Sequence, residues 1–233
     1  VNEVLNYIAF FDLDRTITGK ISGNVLAREA YKKGLMSLSD IIRAIWLLIL
    51  YKLSLRNPVR IINEMTAWVR NVPEEVFNKL SEEVAHKVLI PAVYREALKE
   101  INKHRENGAK TVILSTTPAT IGREMSKELN MDDFICSELG VENGLLTGRS
   151  VGPLCYREEK VVRMLSYCES INCSPEESWY YGDSIADLPA LSLVGTPVCV
   201  NPDRKLLKKA REKGWKILYW STHPRGFVIN HYF

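Results

Sequence analysis

The sequence is poor in the features that staple small secreted domains or bind transition metals. Its five cysteines, Cys136, Cys155, Cys168, Cys173 and Cys199, are scattered, odd in number, and form no CxxC pair. Neither a zinc site nor a disulfide framework is indicated. Small buried or half-buried thiols in a reducing compartment are expected instead. The four histidines, His86, His104, His223 and His231, have no metal-ligand spacing, and each is read as a surface or core residue. The longest apolar run, Ala44 to Tyr51, falls far short of the roughly 20 residues of a spanning helix. No basic-then-apolar leader pattern is seen at the start. A cytoplasmic protein is therefore expected, with any membrane contact peripheral. Repeats, low-complexity segments and flexible linkers are also missing. The net charge of only +3 gives no argument for nucleic acid as a partner.

What is present describes an ordinary globular chain, 46% hydrophobic and 25% charged over 233 residues. That length suits one core domain with a substantial insertion, or two small domains. Charge is unevenly spread. Between Lys20 and Arg70 nine Lys or Arg stand against three Asp or Glu, a local excess of +6. This favours an anionic substrate or surface near that segment.

Local patterns divide the chain in two. Residues 4–12 read as a buried strand. Helical stretches follow from Asn24 to Lys33, over the apolar Ile41 to Leu53, from Pro58 to Val69, and from Pro73 onward, where Pro in the first turn precedes Glu74 and Glu75 at the positive helix end. From Pro91 on, helices alternate with short apolar strands at 111–114, 134–137, 179–181, 197–200 and 215–220. Asn143-Gly144 marks a β-hairpin over 139–152. Alternation of this kind implies a parallel sheet covered on both faces. The fold class is therefore α/β, a Rossmann-like parallel sheet core with a helical cap inserted after the first strand. Residues 1–19 and 89–233 make the core domain and 20–88 the cap.

Ligands of open parallel sheets bind outside the carboxyl ends of the strands. Each core strand here ends in polar groups: Asp12-Leu13-Asp14, then Ser115-Thr116-Thr117, then Gly182-Asp183, with Asp187 four residues on. A shared sheet edge brings four carboxylates together, which cannot all stay ionised unless cations join them. Hard oxygen ligands favour Mg²⁺, and Lys160 at the start of its helix is the candidate second cation. Thr116 and Thr117 are read as loop caps, and Thr16 as a residue that shapes its loop.

These residues, in this order, resemble the haloacid dehalogenase superfamily of aspartate-nucleophile phosphatases. Asp12-x-Asp14-x-Thr16, Ser115 after an apolar strand, Lys160, and Gly182-Asp183-Ser184-x-x-Asp187 match the four motifs of that superfamily. The helical insertion, the stretch Cys155 to Val161, and Val200-Asn201-Pro202-Asp203 resemble its phosphoserine phosphatase-like branch. The resemblance implies a Mg²⁺-dependent phosphomonoester hydrolase, acting through an aspartyl-phosphate intermediate on a small or amphiphilic phosphomonoester. It implies Asp12 as nucleophile, Asp14 as acid and base, and Lys160 pairing with the phosphate and with Asp12. It also implies Thr16, Ser115, Thr116 and Lys160 around the substrate, and Asp12, Asp14 through its carbonyl, and Asp183 around the metal, with Asp187 orienting that shell.

Two departures stand out. Arg15 occupies a position where the family often has a small residue, and is expected to reach toward the cap. The cap also lacks an obvious match to the serine clamp of phosphoserine phosphatases. Its helix over Ile41 to Leu53 is apolar on nearly every side and is flanked by Arg43, Lys52, Arg56 and Arg60. Such a helix fits the buried centre of a cap, a dimer contact, or a membrane surface. The alternatives carried are thus a membrane-surface lipid-phosphate phosphatase and a non-catalytic phosphate-binding protein.

Overall fold

The computed structural model describes residues 7–52, 61 and 64–222. The expected start of the first strand, the first turns of the helix expected from Pro58, and the positions of Arg56, Arg60, His223 and His231 lie outside those residues.

Strand β1, Ile8–Phe11, is buried at every position. The chain then forms helices α1, Ser22–Lys32, and α2, Leu38–Lys52. A short 3-10 turn, Ala67–Val69, and helix α3, Glu74–Val84, follow. The way out and the way back lie side by side. Gly19 N–H donates to the Ala92 carbonyl at 2.9 Å, Tyr94 N–H donates to the Ile17 carbonyl at 3.0 Å, and Thr18 and Val93 form an antiparallel bridge. Two adjacent crossings thus join the helical insertion to the sheet.

Beyond it come α4, Arg95–Glu106; β2, Lys110–Pro118; α5, Ala119–Glu128; and β3, Asp133–Ser137. The hairpin is formed by β4, Leu139–Glu142, and β5, Leu145–Ser150. Asn143 and Gly144 both take positive φ, 51° and 75°, as a two-residue turn of this hand requires. The hairpin is tied to the insertion, since Leu146 N–H donates to the Val72 carbonyl at 2.9 Å and Asn71 N–H to the Leu146 carbonyl at 2.8 Å. Last come α6, Glu158–Ser170; β6, Trp179–Gly182; α7, Leu188–Leu193; β7, Thr196–Val200; α8, Arg204–Lys213; and β8, Lys216–Leu218. Pro189 is tolerated because it lies in the first turn of α7, where no N–H is missed.

Six strands pair in the order β3-β2-β1-β6-β7-β8, all parallel. The first connections run to one side of β1 and the later ones to the other. The order therefore reverses between β1 and β6, where a crevice opens at the carboxyl edge. Alternation splits the core into two layers. Ile8, Phe10, Val112, Leu114, Tyr180 and Cys199 pack with Met164, Cys168, Ala190, Leu206 and Ala210. Phe11, Ile113, Tyr181 and Val198 face the other way, with Ala97, Ile101, Ile121 and Met125.

Several boundaries differ from the sequence reading. β2 runs on to Pro118, so Ser115, Thr116 and Thr117 are strand residues, and Thr116 and Thr117 are not loop caps. The register between β2 and β3 shifts after Leu114, and that irregularity carries the polar residues onward as strand. The last strand keeps only three residues. All five cysteines are free thiols, with Cys136, Cys155, Cys168 and Cys199 buried.

Candidate active site

The site is built at the switch between β1 and β6. Asp12 follows the last residue of β1, and its N–H donates to the Tyr181 carbonyl at 2.9 Å, which fixes the chain as it leaves the sheet. Two residues on from Phe10, its side chain falls on the Phe10 face, the face that α6 covers. From that helix Lys160 reaches in, itself 3% exposed. Its three donors are all used: Nζ lies 2.8 Å from Asp12 Oδ1, 2.7 Å from Asp187 Oδ1 and 2.9 Å from the Tyr180 hydroxyl. Tyr180 in turn donates to Asp187 Oδ1 at 2.8 Å. A buried ammonium is tolerable only when paired and hydrogen-bonded in this way. Burial would lower the Lys160 pKa, but the Asp12 and Asp187 charges outweigh it and hold the group well above its ordinary value.

Burial pushes Asp12 up to about 6 against the pull of Lys160, with the charge of Asp187 adding to the rise. Burial would also raise Asp187, but Lys160 and hydrogen bonds from Lys160, Tyr180 and Ser184 hold it below its usual range. Its second oxygen accepts from the Ser184 N–H and hydroxyl, both at 3.1 Å. With both oxygens engaged, Asp187 is a fixed strut of the site. Gly182 makes room for it, because a Cβ there would stand 2.8 Å from the Asp187 Cβ. Asp183 is buried beside them, and burial, then the Asp187 and Asp12 charges, push it well above the ordinary carboxylate value. Oxygens of Asp12, Asp183 and Asp187 all lie within 4.8 Å of one another.

Asp14 is held by the start of α1. The Ser22 N–H donates to its Oδ1 at 2.8 Å and the Ser22 hydroxyl to its Oδ2 at 2.9 Å. Thr117 donates to the Ser22 hydroxyl at 2.7 Å. Burial, with the Asp12 charge second, raises Asp14 to about 7, and the two Ser22 bonds oppose the rise. A carboxyl poised near neutrality suits both giving and taking a proton. Ser22→Ala removes one bond to the ionised form. If Asp14 is the acid and base that the resemblance implies, the pH-rate limb it sets is expected to move up by about one unit, with the turnover maximum lower by roughly tenfold. An unmoved pH profile in this variant would show that Ser22 does not set the Asp14 proton affinity.

The remaining expected residues divide. Ser115 is buried near the Asp12 carboxylate and helps to lower its pKa. Thr16 is fully buried, and among the described residues its hydroxyl has no hydrogen-bond partner. Thr116 is engaged elsewhere, donating to the Cys155 carbonyl at 2.8 Å. Arg15 is drawn to the acids of the site, with its Nε 3.5 Å from Asp183 Oδ2, on a stretch of chain turned by a φ of 61°. Sequence reasoning missed Ser22, Thr117 and Tyr180 as members of this network. Strand alternation could have placed Tyr180 on the Asp12 face, one strand over. Ser22 and Thr117 carried no comparable signal. His104 is a core residue, bridging Tyr7 and Tyr181 at 2.9 and 2.8 Å, and burial pushes it down to about 4.

Comparison with known proteins bears on the family. The family model for haloacid dehalogenase-like hydrolases matches residues 9–192. A probable phosphatase of Mycobacterium tuberculosis is 30% identical over 220 residues, 91% of this chain and 75% of that protein. A histidinol-phosphatase of Neisseria meningitidis serogroup C is 26% identical, over 91% of this chain and 97% of its own. Among solved structures, a protein of unknown function from Bordetella pertussis Tohama I superposes with a TM-score of 0.83 at 22% identity, covering 92% of this chain and 99% of that one. A phospho-aspartyl intermediate analogue of phosphoserine phosphatase gives 0.70 at 16% identity, covering 92% and 93%. At those identities the structural likenesses speak for the fold. The family match over most of the chain, joined to relatives named as phosphatases, places the protein among the haloacid dehalogenase-like hydrolases, as a phosphatase of that family.

Proposed function

We propose that the protein hydrolyses a small phosphomonoester by transferring the phosphoryl group to Asp12, with Mg²⁺ as cofactor. The observation that carries this reading is Lys160, bonded to Asp12 and Asp187 at 2.8 and 2.7 Å inside a buried cluster of acids. A structural ion pair needs one acid per cation. Here the acids outnumber the buried ammonium, and Asp12, Asp14 and Asp183 are all pushed above their ordinary pKa.

That surplus of hard oxygen donors fits a small divalent cation. Asp12, Asp183 and the Asp14 carbonyl are the groups proposed to hold it, with Asp187 orienting them through Lys160 and Ser184. When bound, Mg²⁺ supplies charge neutralisation for the transferring group. The rest falls to the chain. An Asp12 oxygen attacks phosphorus as the bond to the leaving oxygen breaks, and the Asp14 carboxyl gives its proton to that oxygen. Asp14, now ionised, takes a proton from a water that attacks the aspartyl-phosphate, which releases phosphate and restores Asp12. Lys160 stays charged throughout, holding Asp12 oriented and facing the phosphoryl oxygens. Ser115 and the unpartnered hydroxyl of Thr16 are the proposed donors to those oxygens. Residues 20–88, with the β4–β5 hairpin docked on them, are proposed as the cap that closes over the substrate.

Relatives named for histidinol phosphate and for phosphoserine support a small phosphomonoester as the substrate class. Phosphate release from an aryl phosphate, with Mg²⁺ and with EDTA, tests the reading, and a panel of amino-alcohol and amino-acid phosphates refines it. Turnover that is undiminished in EDTA would overturn the metal assignment. No turnover on any phosphomonoester would overturn the whole.

Stability gives an independent check. Asp12 and Asp14 have folded pKa values of about 6 and about 7 against an ordinary 3.8. Such groups contribute their full stabilisation below the unfolded value and lose it as pH rises through the folded one. Asp187 has the opposite sign, and its contribution is lost only as pH falls below the ordinary carboxylate range. Metal-free protein is therefore expected to melt roughly 5–10 °C lower at pH 8 than at pH 5, and added Mg²⁺ should restore the loss. A Tm in EDTA that is flat across this interval would contradict the charge balance described.

A further inference from the structure

We propose that the outer face of α2 seats the protein on an anionic lipid surface. Leu38, Ile42, Ile45, Trp46 and Ile49 are exposed to 60%, 60%, 52%, 58% and 42%. At helical spacing they fall within an arc of about 100° and span about 17 Å of the helix. Leu47 on the other side is buried, and Ile41 and Ala44 are half-buried against the core. The inward side thus already has its partner, and the outward stripe is a second apolar face. Single exposed apolar residues need no explanation, but five in register do.

Charge decides what covers the stripe. From Ile41 to Asn63 the sequence holds Arg43, Lys52, Arg56 and Arg60 and no Asp or Glu. Between Lys20 and Arg70 basic residues exceed acidic ones by six, so a second copy of the chain would bring a segment of the same sign. An anionic surface complements it, and each cation near such a surface adds to binding. The composition is also that of a helix lying in an interface, with Trp46 able to sit at headgroup depth and basic residues beside an apolar face. No described helix is long and apolar enough to cross a membrane, so the contact is one of lying on the surface. This inference concerns the insertion and does not depend on the chemistry proposed for Asp12.

The test is co-sedimentation of the full chain with phosphatidylcholine vesicles, with and without phosphatidylglycerol, at low and high salt. Wild type is expected to bind the anionic vesicles roughly tenfold or more tightly than the neutral ones, and to be released by salt. Ile42→Glu/Trp46→Glu should remain in the supernatant while melting cooperatively near the wild-type Tm. The milder Ile42→Ser/Ile45→Ser replaces it should the double glutamate fail to fold. Wild type that stays in the supernatant with anionic vesicles at low salt overturns the proposal. So does equal binding to neutral vesicles, or a wild-type dimer that the substitutions turn into monomer. Sedimentation is read without turnover, so an inactive but vesicle-bound protein would count against the phosphatase mechanism and not against this surface.

Discussion

Asp12→Asn is expected to reduce phosphate release by about 10⁴-fold or more, since it removes the group proposed to form the new bond to phosphorus. The substitution is close to isosteric, and the amide oxygen can still accept the Lys160 bond that Asp12 Oδ1 accepts at 2.8 Å. Packing around Phe10 and Tyr180 is therefore expected to survive. Stability should even gain slightly at pH 8 without metal, because burial disfavours the charged form of Asp12 and the amide carries no charge to desolvate. The measurement is paired: turnover on an aryl phosphate, and Tm in EDTA for both proteins. Loss of activity with an unchanged or higher Tm is the expected pattern. Pure Asp12→Asn protein that still turns over at a comparable rate would remove Asp12 from the nucleophile role.

The parts of this site that were legible in the sequence are those set by local pattern. An apolar run ending in Asp12, and another ending in Gly182-Asp183, announce strand ends, and parallel topology gathers strand ends at one edge. Lys160 was legible only through its order among the motifs, because nothing local says that an ammonium in the first turn of a helix will point into a sheet. The network around it was hidden for a related reason. Ser22 holds Asp14 across eight residues, and Thr117 reaches Ser22 across 95, so the first depends on how the loop after β1 closes and the second exists only once the start of α1 has packed on β2. The pairing of Arg15 with Asp183 was not legible, since it depends on a turn with positive φ that Arg seldom adopts. The apolar helix posed a different limit. Apolarity on every side states that no face must meet water, and only the fold shows which side the core had already covered.

Lys160→Met is expected to be the most disruptive single change, because it strikes chemistry and stability together. Methionine nearly fills the lysine volume, so the effect reports charge and not a cavity. The lost ammonium leaves Asp12, Asp187 and Tyr180 each without the donor that Nζ supplied. Breaking a buried pair from one side typically costs about 3–5 kcal/mol, a large share of the stability of an ordinary domain. The loss should be greatest at pH 8 in EDTA, where the acids must remain ionised. It should shrink toward pH 5, where protonation relieves them, and Mg²⁺ should restore part of it by supplying another cation. Catalysis has no such remedy. In its proposed role Lys160 faces the transferring phosphoryl group and acts on the transition state, so kcat and kcat/KM are expected to fall together, by about 10³-fold or more. Steady-state kinetics alongside Tm at the two pH values separates the two effects. A variant in which KM alone rises would reduce Lys160 to a substrate contact. A variant as stable as wild type at pH 8 in EDTA would mean that the buried acids are neutralised by something other than this lysine.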